Sequence, residues 1–241
     1  MGYIMSNSTY LDPTERFQQD IICTVDALLF TMTPEGELSV LLNKRKHSPF
    51  QGMMALPGVY IMPEADVSVE AASLRALLKK TGVVPNYLEQ LKTFSGAERD
   101  PRGWSISIAH FGLMPWKTIE FAADSFCAVK DVPQLAFDHN HILETAIKRI
   151  RDKSSYSSLP LNLIDRFVKL SEIKNVYETL IGKKFPRTSF RNWINHALKA
   201  NVIRETGAKS SASQGRPSTI YENMLYGMPS ENLFYLPSIT D

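Results

Sequence analysis

Short apolar runs separated by turn residues dominate the first 150 positions and predict a β-rich domain. Strands are expected at residues 22–30, 37–45, 53–61, 92–94 and 104–116. Two further segments repeat apolar residues at helical spacing and predict helices at 68–81 and 139–152. Asp66 or Ser68 is suited to cap the first helix, and Gly82 is suited to end it. The pattern therefore predicts a mixed sheet with two helices.

The pattern changes to short helices after a polar, serine-rich stretch. Residues 151–160, RDKSSYSSLP, are the predicted linker, and they divide the chain into domains at 1–152 and 153–241. Beyond the linker, helices are expected at 170–182 and 187–200, followed by a strand hairpin at 202–206 and 219–224. Helix, turn, helix and hairpin in this order are typical of a winged helix-turn-helix.

The helix at 187–200 is the most informative of these elements. Its apolar stripe includes Phe190 and Trp193, whereas the opposite face has no acidic residue and is rich in side chains that bond bases and phosphates. The hairpin tip at 207–217 is polar and basic, as expected of a wing. A small helical interaction module with a polar outer face has the same periodicity. The acid-free face and the basic wing together favour DNA binding.

Charge is distributed unevenly along a chain whose formal net charge is +2. Residues 1–150 contain 14 Lys/Arg and 17 Asp/Glu, whereas residues 151–241 contain 13 Lys/Arg and 8 Asp/Glu. Between residues 183 and 216, eight basic residues stand against a single acid, Glu205. Such a cluster indicates a polyanion-binding module, although an ordinary solvated basic face has the same composition.

Composition excludes several other classes of protein. No apolar run approaches the roughly 18 residues that a membrane-spanning helix needs. Cys23 and Cys127 lack ligand spacing and the 5 histidines do not cluster, so neither a disulfide framework nor a metal site is expected. Free thiols and an N-terminus without a signal-peptide pattern indicate a cytoplasmic protein.

Residues 55–83 resemble the Nudix box, whose helical core reads Arg-Glu, then Glu-Glu, then Gly. Arg75 and Gly82 are present, but Ala76, Lys79 and Lys80 stand at the three glutamate positions. Three glutamates within about one helical turn would hold Mg²⁺ or Mn²⁺, whereas two ammonium groups and a methyl group cannot coordinate a hard cation. The segment therefore predicts the fold without the hydrolysis, and no catalytic residue is assigned.

The segments on either side of this helix retain cations suited to a diphosphate. Arg99 and Arg102 flank a proline-stiffened turn, and each guanidinium can bind a phosphate through two hydrogen bonds. Arg45, with Phe50 and Gln51, would add a cation, an aromatic face for a base and a polar side chain. These five residues are the predicted effector-binding set. A surface turn with two solvated arginines is the alternative.

Three segments together resemble the Nudix-related transcriptional regulators of NAD metabolism, a family of bacterial repressors. They are residues 87–111, the box at 55–83, and residues 170–194 leading into 215–222. The resemblance spans about residues 20–224 and implies an α+β fold. In that fold an N-terminal Nudix-like α/β/α sandwich with a mixed sheet precedes a C-terminal winged helix-turn-helix.

The family resemblance also implies a function. It implies a homodimer that binds a palindromic operator in double-stranded DNA and represses genes of NAD biosynthesis or salvage. ADP-ribose or a related nucleotide would bind the Nudix-like domain without being cleaved, as an effector and not a cofactor, and would release the DNA. Some relatives respond to sugars instead.

The predicted DNA contacts lie on the 187–200 helix, just before it, and on the wing. They are Lys184, Arg187, Thr188, Arg191, Asn192, Asn195, Lys199, Lys209 and Arg216. Two other functions stay open: a divergent Nudix hydrolase that uses carboxylates outside the box, and a ligand sensor that binds another protein through residues 160–225. The tail at 226–241 could add a strand, contact a partner or be mobile.

Overall fold

The computed structural model describes residues 21–210, 217–228 and 233–236. The strands of the first domain are β1 (Ile22–Met32), β2 (Leu38–Leu41), β3 (Asn43–Lys44), β4 (Met54–Ala55), β5 (Gly58–Tyr60), β6 (Tyr87–Gly96), β7 (Ser105–Leu113) and β8 (Phe126–Ala128). Its helices are α1 (Val69–Thr81), α2 (Trp116–Ile119) and α3 (His139–Ser154). Ser68 Oγ caps α1 by accepting the Ala71 N–H at 3.1 Å, and Gly82 ends it with φ at 69°. The two helices predicted for this domain are confirmed.

The central sheet is mixed, with strand order β6-β7-β1-β2-β8. β1 pairs in parallel with β7; on its other edge, β5 pairs with the first half of β1 and β2 with the second half. Side chains alternate between the two faces of β1. Leu29 packs with Leu77 of α1, whereas Phe30 belongs to the larger core that contains Ile142 of α3. The predicted α/β/α sandwich follows from this alternation.

The second domain has the predicted winged-helix order. Its elements are β9 (Phe167–Lys169), α4 (Leu170–Ile181), α5 (Arg187–Lys199), β10 (Ile203–Lys209) and β11 (Thr219–Asn223). The strands form a sheet of order β10-β11-β9. Tyr177 of α4 and Trp193 of α5 pack in its core with ring centroids 4.5 Å apart. Aromatic and aliphatic side chains from both helices thus fix α5 with its polar face outward.

The expectation that residues 151–160 form a polar linker is wrong. The chain continues in α3 to Ser154, and Ser154, Ser157 and Ser158 are buried. A buried 3₁₀ helix follows at Leu159–Leu163. The serine-rich composition misleads because the hydroxyls of Ser154 and Ser157 each donate to a backbone carbonyl one turn earlier, at 2.6 Å. Buried serines therefore satisfy their hydrogen bonds locally.

The described part of the C-terminal tail returns to this connecting segment. The carbonyl oxygen of Phe234 accepts the Ser158 N–H at 2.9 Å, and the Leu236 N–H donates to the carbonyl oxygen of Tyr156 at 2.8 Å. The rings of Tyr156 and Tyr235 stack with centroids 6.0 Å apart. Residues 233–236 therefore pair, strand-like, with the chain between the two domains.

None of the helices in the described ranges is both long enough and apolar enough to cross a bilayer.

Candidate functional site

A cleft of about 280 Å³ opens where β5 leaves the edge of β1, next to the loop after β3 and the start of α3. Three of the residues predicted to bind an effector line it: Arg45, Arg99 and Arg102. Phe50 and Gln51 do not line the cleft, although the Phe50 ring contacts the cleft residue Phe137 with centroids 4.8 Å apart. The tertiary structure thus brings three of the five predicted residues together.

Arg99 is paired with carboxylates of the protein. Its Nε and Nη2 donate to the two oxygens of Asp138 at 3.0 and 2.9 Å, and Nη2 lies 3.6 Å from Asp26 Oδ2. Its Nη1 donates to Ser105 Oγ at 3.2 Å. Because all three guanidinium nitrogens are engaged in this buried network, Arg99 stabilises the floor of the cleft and its charge is already compensated.

Arg102 is paired in the same way. Its Nε and Nη2 donate to Asp100 at 2.9 and 2.6 Å, and its Nη1 donates to the Tyr60 hydroxyl. The Asp100 carboxylate accordingly raises the pKa of Arg102. The guanidinium of Arg102 is therefore directed toward Asp100. A phosphate would have to share the guanidinium N–H donors with that carboxylate.

Arg45 is the exception among the three arginines. Its Nε and Nη2 donate only to the backbone carbonyls of Pro49 and His47, at 2.8 and 3.4 Å. Its guanidinium lies over the Phe137 ring, 4.5 Å from the centroid. Burial, together with the positive charge of Arg102, lowers the pKa of Arg45. Within the part of the chain that the structure describes, no carboxylate lies within 4.0 Å of Arg45, so its charge is open to a phosphate.

The floor of the cleft contains a buried carboxylate that the sequence reasoning missed. Asp26 of β1 accepts a hydrogen bond from Ser107 Oγ at 2.7 Å and lies 3.5 Å from His139 Nε2. His139 Nδ1 accepts the Leu56 N–H at 3.0 Å, and burial lowers the pKa of His139. The imidazole is therefore neutral, with its proton on Nε2 facing Asp26. A single acid inside an otherwise apolar strand was the available signal, since a buried carboxylate requires partners.

The aromatic walls of the cleft were also missed. Phe137 adopts a left-handed backbone conformation with φ at 56°, and its contact Phe50 does so with φ at 59°. Such conformations are costly outside glycine, and here they accompany the edge contact between the two rings. Tyr60, on the opposite wall, is 52% exposed with Arg102 5.6 Å from its ring centroid. The exposed Tyr60 ring is available for stacking on a planar group.

The box helix α1 stabilises the neighbouring loop and does not form a metal site. Arg75 binds both oxygens of Asp66 at 2.7 Å and the carbonyl oxygen of Tyr60 at 2.8 Å, which fixes the loop before α1. Ala76 is buried, and Lys80 Nζ donates to Asn43 Oδ1 at 2.7 Å. Within the described ranges, no three His, Cys, Asp or Glu side chains converge as a metal-binding group. The donor set at α1 does not fit a divalent cation, which needs several oxygen ligands.

The candidate DNA surface lies on α5. Phe190, Trp193, Ile194 and Ala197 are buried, so the polar face points to solvent. The predicted contacts on and just before this helix are exposed: Lys184, Arg187, Thr188, Arg191, Asn192, Asn195 and Lys199. Lys209 is exposed at the end of β10, whereas Arg216 lies outside the described residues. A positive, acid-free surface of this kind suits a phosphate backbone and a major groove.

Among the predicted DNA contacts that the structure describes, Lys184 is distinguished by a partner within the protein. Its Nζ donates to Glu178 Oε2 at 2.8 Å, and the same carboxylate accepts the Phe185 N–H at 2.8 Å through Oε1. Glu178 thereby fixes the turn between α4 and α5. Lys184 contributes to that turn as well as to the positive surface.

Comparisons with known proteins bear on both domains. The family model for the NrtR DNA-binding winged helix domain matches residues 160–222. The chain is 33% identical over 207 residues to the ADPR responsive transcriptional repressor NtrR of Acinetobacter baylyi, a match that covers 83% of this chain and 81% of that protein. The crystal structure of Shewanella oneidensis NrtR complexed with a 27mer DNA is 34% identical, with a TM-score of 0.78, over 89% of this chain and 97% of that one.

The chain also has an enzymatic relative. It is 35% identical over 114 residues to an ADP-ribose pyrophosphatase of Methanocaldococcus jannaschii, which corresponds to 46% of this chain and 66% of that protein. The two-domain arrangement is nevertheless that of a DNA-binding transcriptional regulator, in which a Nudix-like domain precedes a winged helix. The chain belongs to the NrtR family of transcriptional repressors.

Proposed function

We propose that this protein is a repressor whose Nudix-like domain binds ADP-ribose and thereby releases the winged helix from its operator. The observation that carries the proposal is the presence, in one chain, of a cleft whose Arg45 has no carboxylate within 4.0 Å among the described residues, and of a helix, α5, with an acid-free outer face. The A. baylyi relative, described as responsive to ADPR, supports the same effector.

The cleft chemistry matches the parts of ADP-ribose. Arg45 would bind the diphosphate, because its guanidinium has no carboxylate partner among the described residues. Tyr60 would stack on the base, and Asp26 and Asp100 would accept hydrogen bonds from ribose hydroxyls. Arg99 and Arg102 would contribute by holding these carboxylates in place, and Phe50 by supporting the Phe137 ring. Gln51, at the outer end of the loop, remains a predicted contact.

We infer that the cleft binds the nucleotide without cleaving it. Hydrolysis of a diphosphate in this fold needs carboxylates that hold divalent cations, and Ala76, Lys79 and Lys80 stand where the box has glutamates. The similarity to the M. jannaschii pyrophosphatase makes a divergent hydrolase the second candidate. It would require metal-binding carboxylates from outside the box.

The DNA half of the proposal assigns roles on and around α5. The exposed face of α5 would read bases or bind phosphates through Thr188, Arg191, Asn192, Asn195 and Lys199. The phosphate backbone of the DNA would be contacted by Lys184, Arg187, Lys209 and Arg216. A homodimer would present two such helices to the half-sites of a palindrome, about one helical turn apart. The predicted division between residues 152 and 153 falls within the last turn of α3, whereas the family model for the winged helix begins at residue 160, so we place the division between residues 154 and 160.

The ligand and the DNA must be coupled for this regulator to work. Because coupling is reciprocal, operator DNA must weaken ADP-ribose binding by the same factor by which ADP-ribose weakens DNA binding. The proposed targets are genes of NAD biosynthesis or salvage, and the proposed location is the cytoplasm, where a DNA-binding repressor acts.

The test is an electrophoretic mobility shift of DNA upstream of the protein's own gene, with and without ADP-ribose in Mg²⁺, while chromatography follows the nucleotide. We expect a shifted complex that ADP-ribose dissolves, with the nucleotide recovered intact. Steady cleavage without a shift would identify a hydrolase. A shift that ADP-ribose leaves unchanged would reject this effector and lead to other nucleotides and to sugars.

A further inference from the structure

Lys80, in the last turn of α1, reaches the side of the cleft that α1 approaches, and the ammonium groups of Lys79 and Lys46 are close enough to repel its charge. Lys80 Nζ donates to Asn43 Oδ1 at 2.7 Å, and Asn43 lines the same cleft as Arg45. Asn43 and Arg45 are two positions apart along an extended segment, so their side chains project to the same side. Lys80 therefore reaches the wall of the cleft that contains Arg45.

The positive charge of these three lysines is not neutralised by the protein. Burial lowers the pKa of Lys80, and the nearby ammonium groups of Lys79 and Lys46 lower it further. No carboxylate of the described residues lies within 4.0 Å of any of the three ammonium groups. Like charges held together repel one another, so an anion is the ligand that would relieve the repulsion.

A structural explanation accounts for only part of this arrangement. Lysines in the last turn of a helix interact favourably with the helix dipole, and this explains Lys79 and Lys80 by themselves. It does not explain why Lys46, from the loop after β3, joins them. It also does not explain why Lys80 is directed to Asn43 at the cleft wall.

We propose that Lys80, assisted by Lys79 and Lys46, is a diphosphate subsite of this cleft that binds its anion directly and without a divalent cation. An ammonium group has three donors, and one of them is used by Asn43, so two are left for phosphate oxygens. In a metal-dependent site of this fold, divalent cations supply the positive charge at this end of the cleft. Here the protein supplies it from its own side chains. The inference rests on the proposed function, since it concerns the same nucleotide.

The experiment is calorimetric titration of the full-length protein with ADP-ribose, in excess EDTA and then in Mg²⁺. We expect the wild-type Kd to agree between the two conditions within about twofold. Lys80→Met keeps the approximate length of the side chain and removes its charge. It is expected to weaken ADP-ribose binding about tenfold, as the loss of one charge-assisted hydrogen bond does. Lys148→Met is the matched control, because Lys148 is on α3, is exposed and pairs with Asp152.

A charge-reversal variant tests the same inference from the other direction. Lys79→Glu combined with Lys80→Glu changes two exposed positions and leaves the buried Ala76 in place. We expect this variant to lose ADP-ribose binding in EDTA and to recover part of it in Mg²⁺. Equal binding by the wild type and Lys80→Met, or a wild-type requirement for Mg²⁺, would overturn the inference and leave ADP-ribose as the effector.

Failure of the effector assignment gives a different result. If the wild type does not bind ADP-ribose in either condition, the proposed effector is wrong, and titration with inorganic pyrophosphate then tests the subsite alone. If the wild type binds pyrophosphate in EDTA and Lys80→Met binds it more weakly, the diphosphate subsite is supported. No binding, or binding that the substitution leaves unchanged, would reject it.

Discussion

Tyr177 and Ser157 join the winged helix to the segment that connects it with the Nudix-like domain. The Tyr177 hydroxyl donates to the carbonyl oxygen of Ser157 at 2.9 Å, and Tyr177 is 0% exposed. Ser158, next in sequence, pairs with the C-terminal tail at Phe234. Helix α4, the connecting segment and the tail are therefore held together by hydrogen bonds at one buried point. A movement of either domain would change the contacts of the other domain at this point.

Replacement Tyr177→Phe removes this hydroxyl and leaves a buried carbonyl oxygen without its donor. An unsatisfied buried polar group costs about 1–3 kcal/mol, so we expect the free energy of unfolding to fall by that amount in urea denaturation. The control is Tyr226→Phe, at an exposed position, for which the expected change is within about 0.5 kcal/mol. Equal stabilities of the two variants would show that the hydroxyl does not stabilise the junction.

Replacement Arg191→Ala removes an exposed cation from the middle of α5. We expect operator affinity to fall about tenfold and the slope of log affinity against log salt concentration to decrease by about one, because one phosphate contact is lost. Fluorescence anisotropy over a range of salt concentrations measures both quantities. Lys148→Ala, on α3, removes the same charge and is expected to leave both unchanged; a parallel loss in the two variants would indicate a nonspecific charge effect.

Replacement Gly58→Ala tests the packing of the cleft floor. An added Cβ would lie 2.6 Å from Asp26 Oδ1 and 3.3 Å from the carbonyl oxygen of Val25. Asp26 cannot yield easily, since it is held by Ser107 and lies close to Arg99. We expect a loss of about 1–3 kcal/mol in the free energy of unfolding, as for overpacking of a core, together with weaker ADP-ribose binding in calorimetry.

The comparison for Gly58 is Gly52→Ala. Among the described residues, no atom beyond Gly52 and its two chain neighbours lies within 4 Å of an added Cβ at Gly52, but its φ is +86°, so the change tests backbone strain. It is expected to cost about 1–2 kcal/mol without affecting the cleft floor. Unchanged nucleotide affinity in Gly58→Ala would mean that the ligand does not depend on the position of Asp26.

Replacement Glu178→Gln tests the turn between α4 and α5 through pH. Burial opposes ionisation of Glu178, but hydrogen bonds from Lys184 and Phe185 outweigh it, and the pKa is lowered from its ordinary value of 4.5. A carboxylate with a lowered pKa in the folded state stabilises the fold above its unfolded pKa, and this contribution is lost as the pH falls through the folded pKa. We expect Glu178→Gln to be less stable than wild type at neutral pH.

The difference between wild type and Glu178→Gln is expected to shrink as the pH falls below 4.5 and through the lowered pKa of Glu178, because the wild-type carboxylate then becomes protonated. Urea denaturation across the pH range measures it. Glu144→Gln on α3 is the control, because its carboxylate has no hydrogen bond or ion pair among the described residues. A stability difference that stays constant over pH would show that the ionised form of Glu178 is not what stabilises the turn.

Local patterns were sufficient for the four long helices and for most strands of this chain, but they did not indicate the short elements α2, β8 and β9. The α1 helix follows from an apolar face, a serine cap and a terminal glycine, all within 15 consecutive positions, 68–82. The α5 helix follows from the spacing of Phe190, Trp193 and Ala197. The serine-rich segment at 151–160 was misread, because composition alone does not distinguish serines exposed to water from buried serines that bond to their own helix.

The sequence by itself determined the long helices, most of the strands, the two-part organisation and the absence of glutamates from the box, because each of these depends on residues close together in the chain. Only the tertiary structure decided which arginine is available to a ligand. Arg99 pairs with Asp138, 39 positions away, whereas Arg45 has only backbone carbonyls as partners. The availability of a charge depends on distances between remote residues, and those distances are set when the strands pair and α3 packs against the sheet.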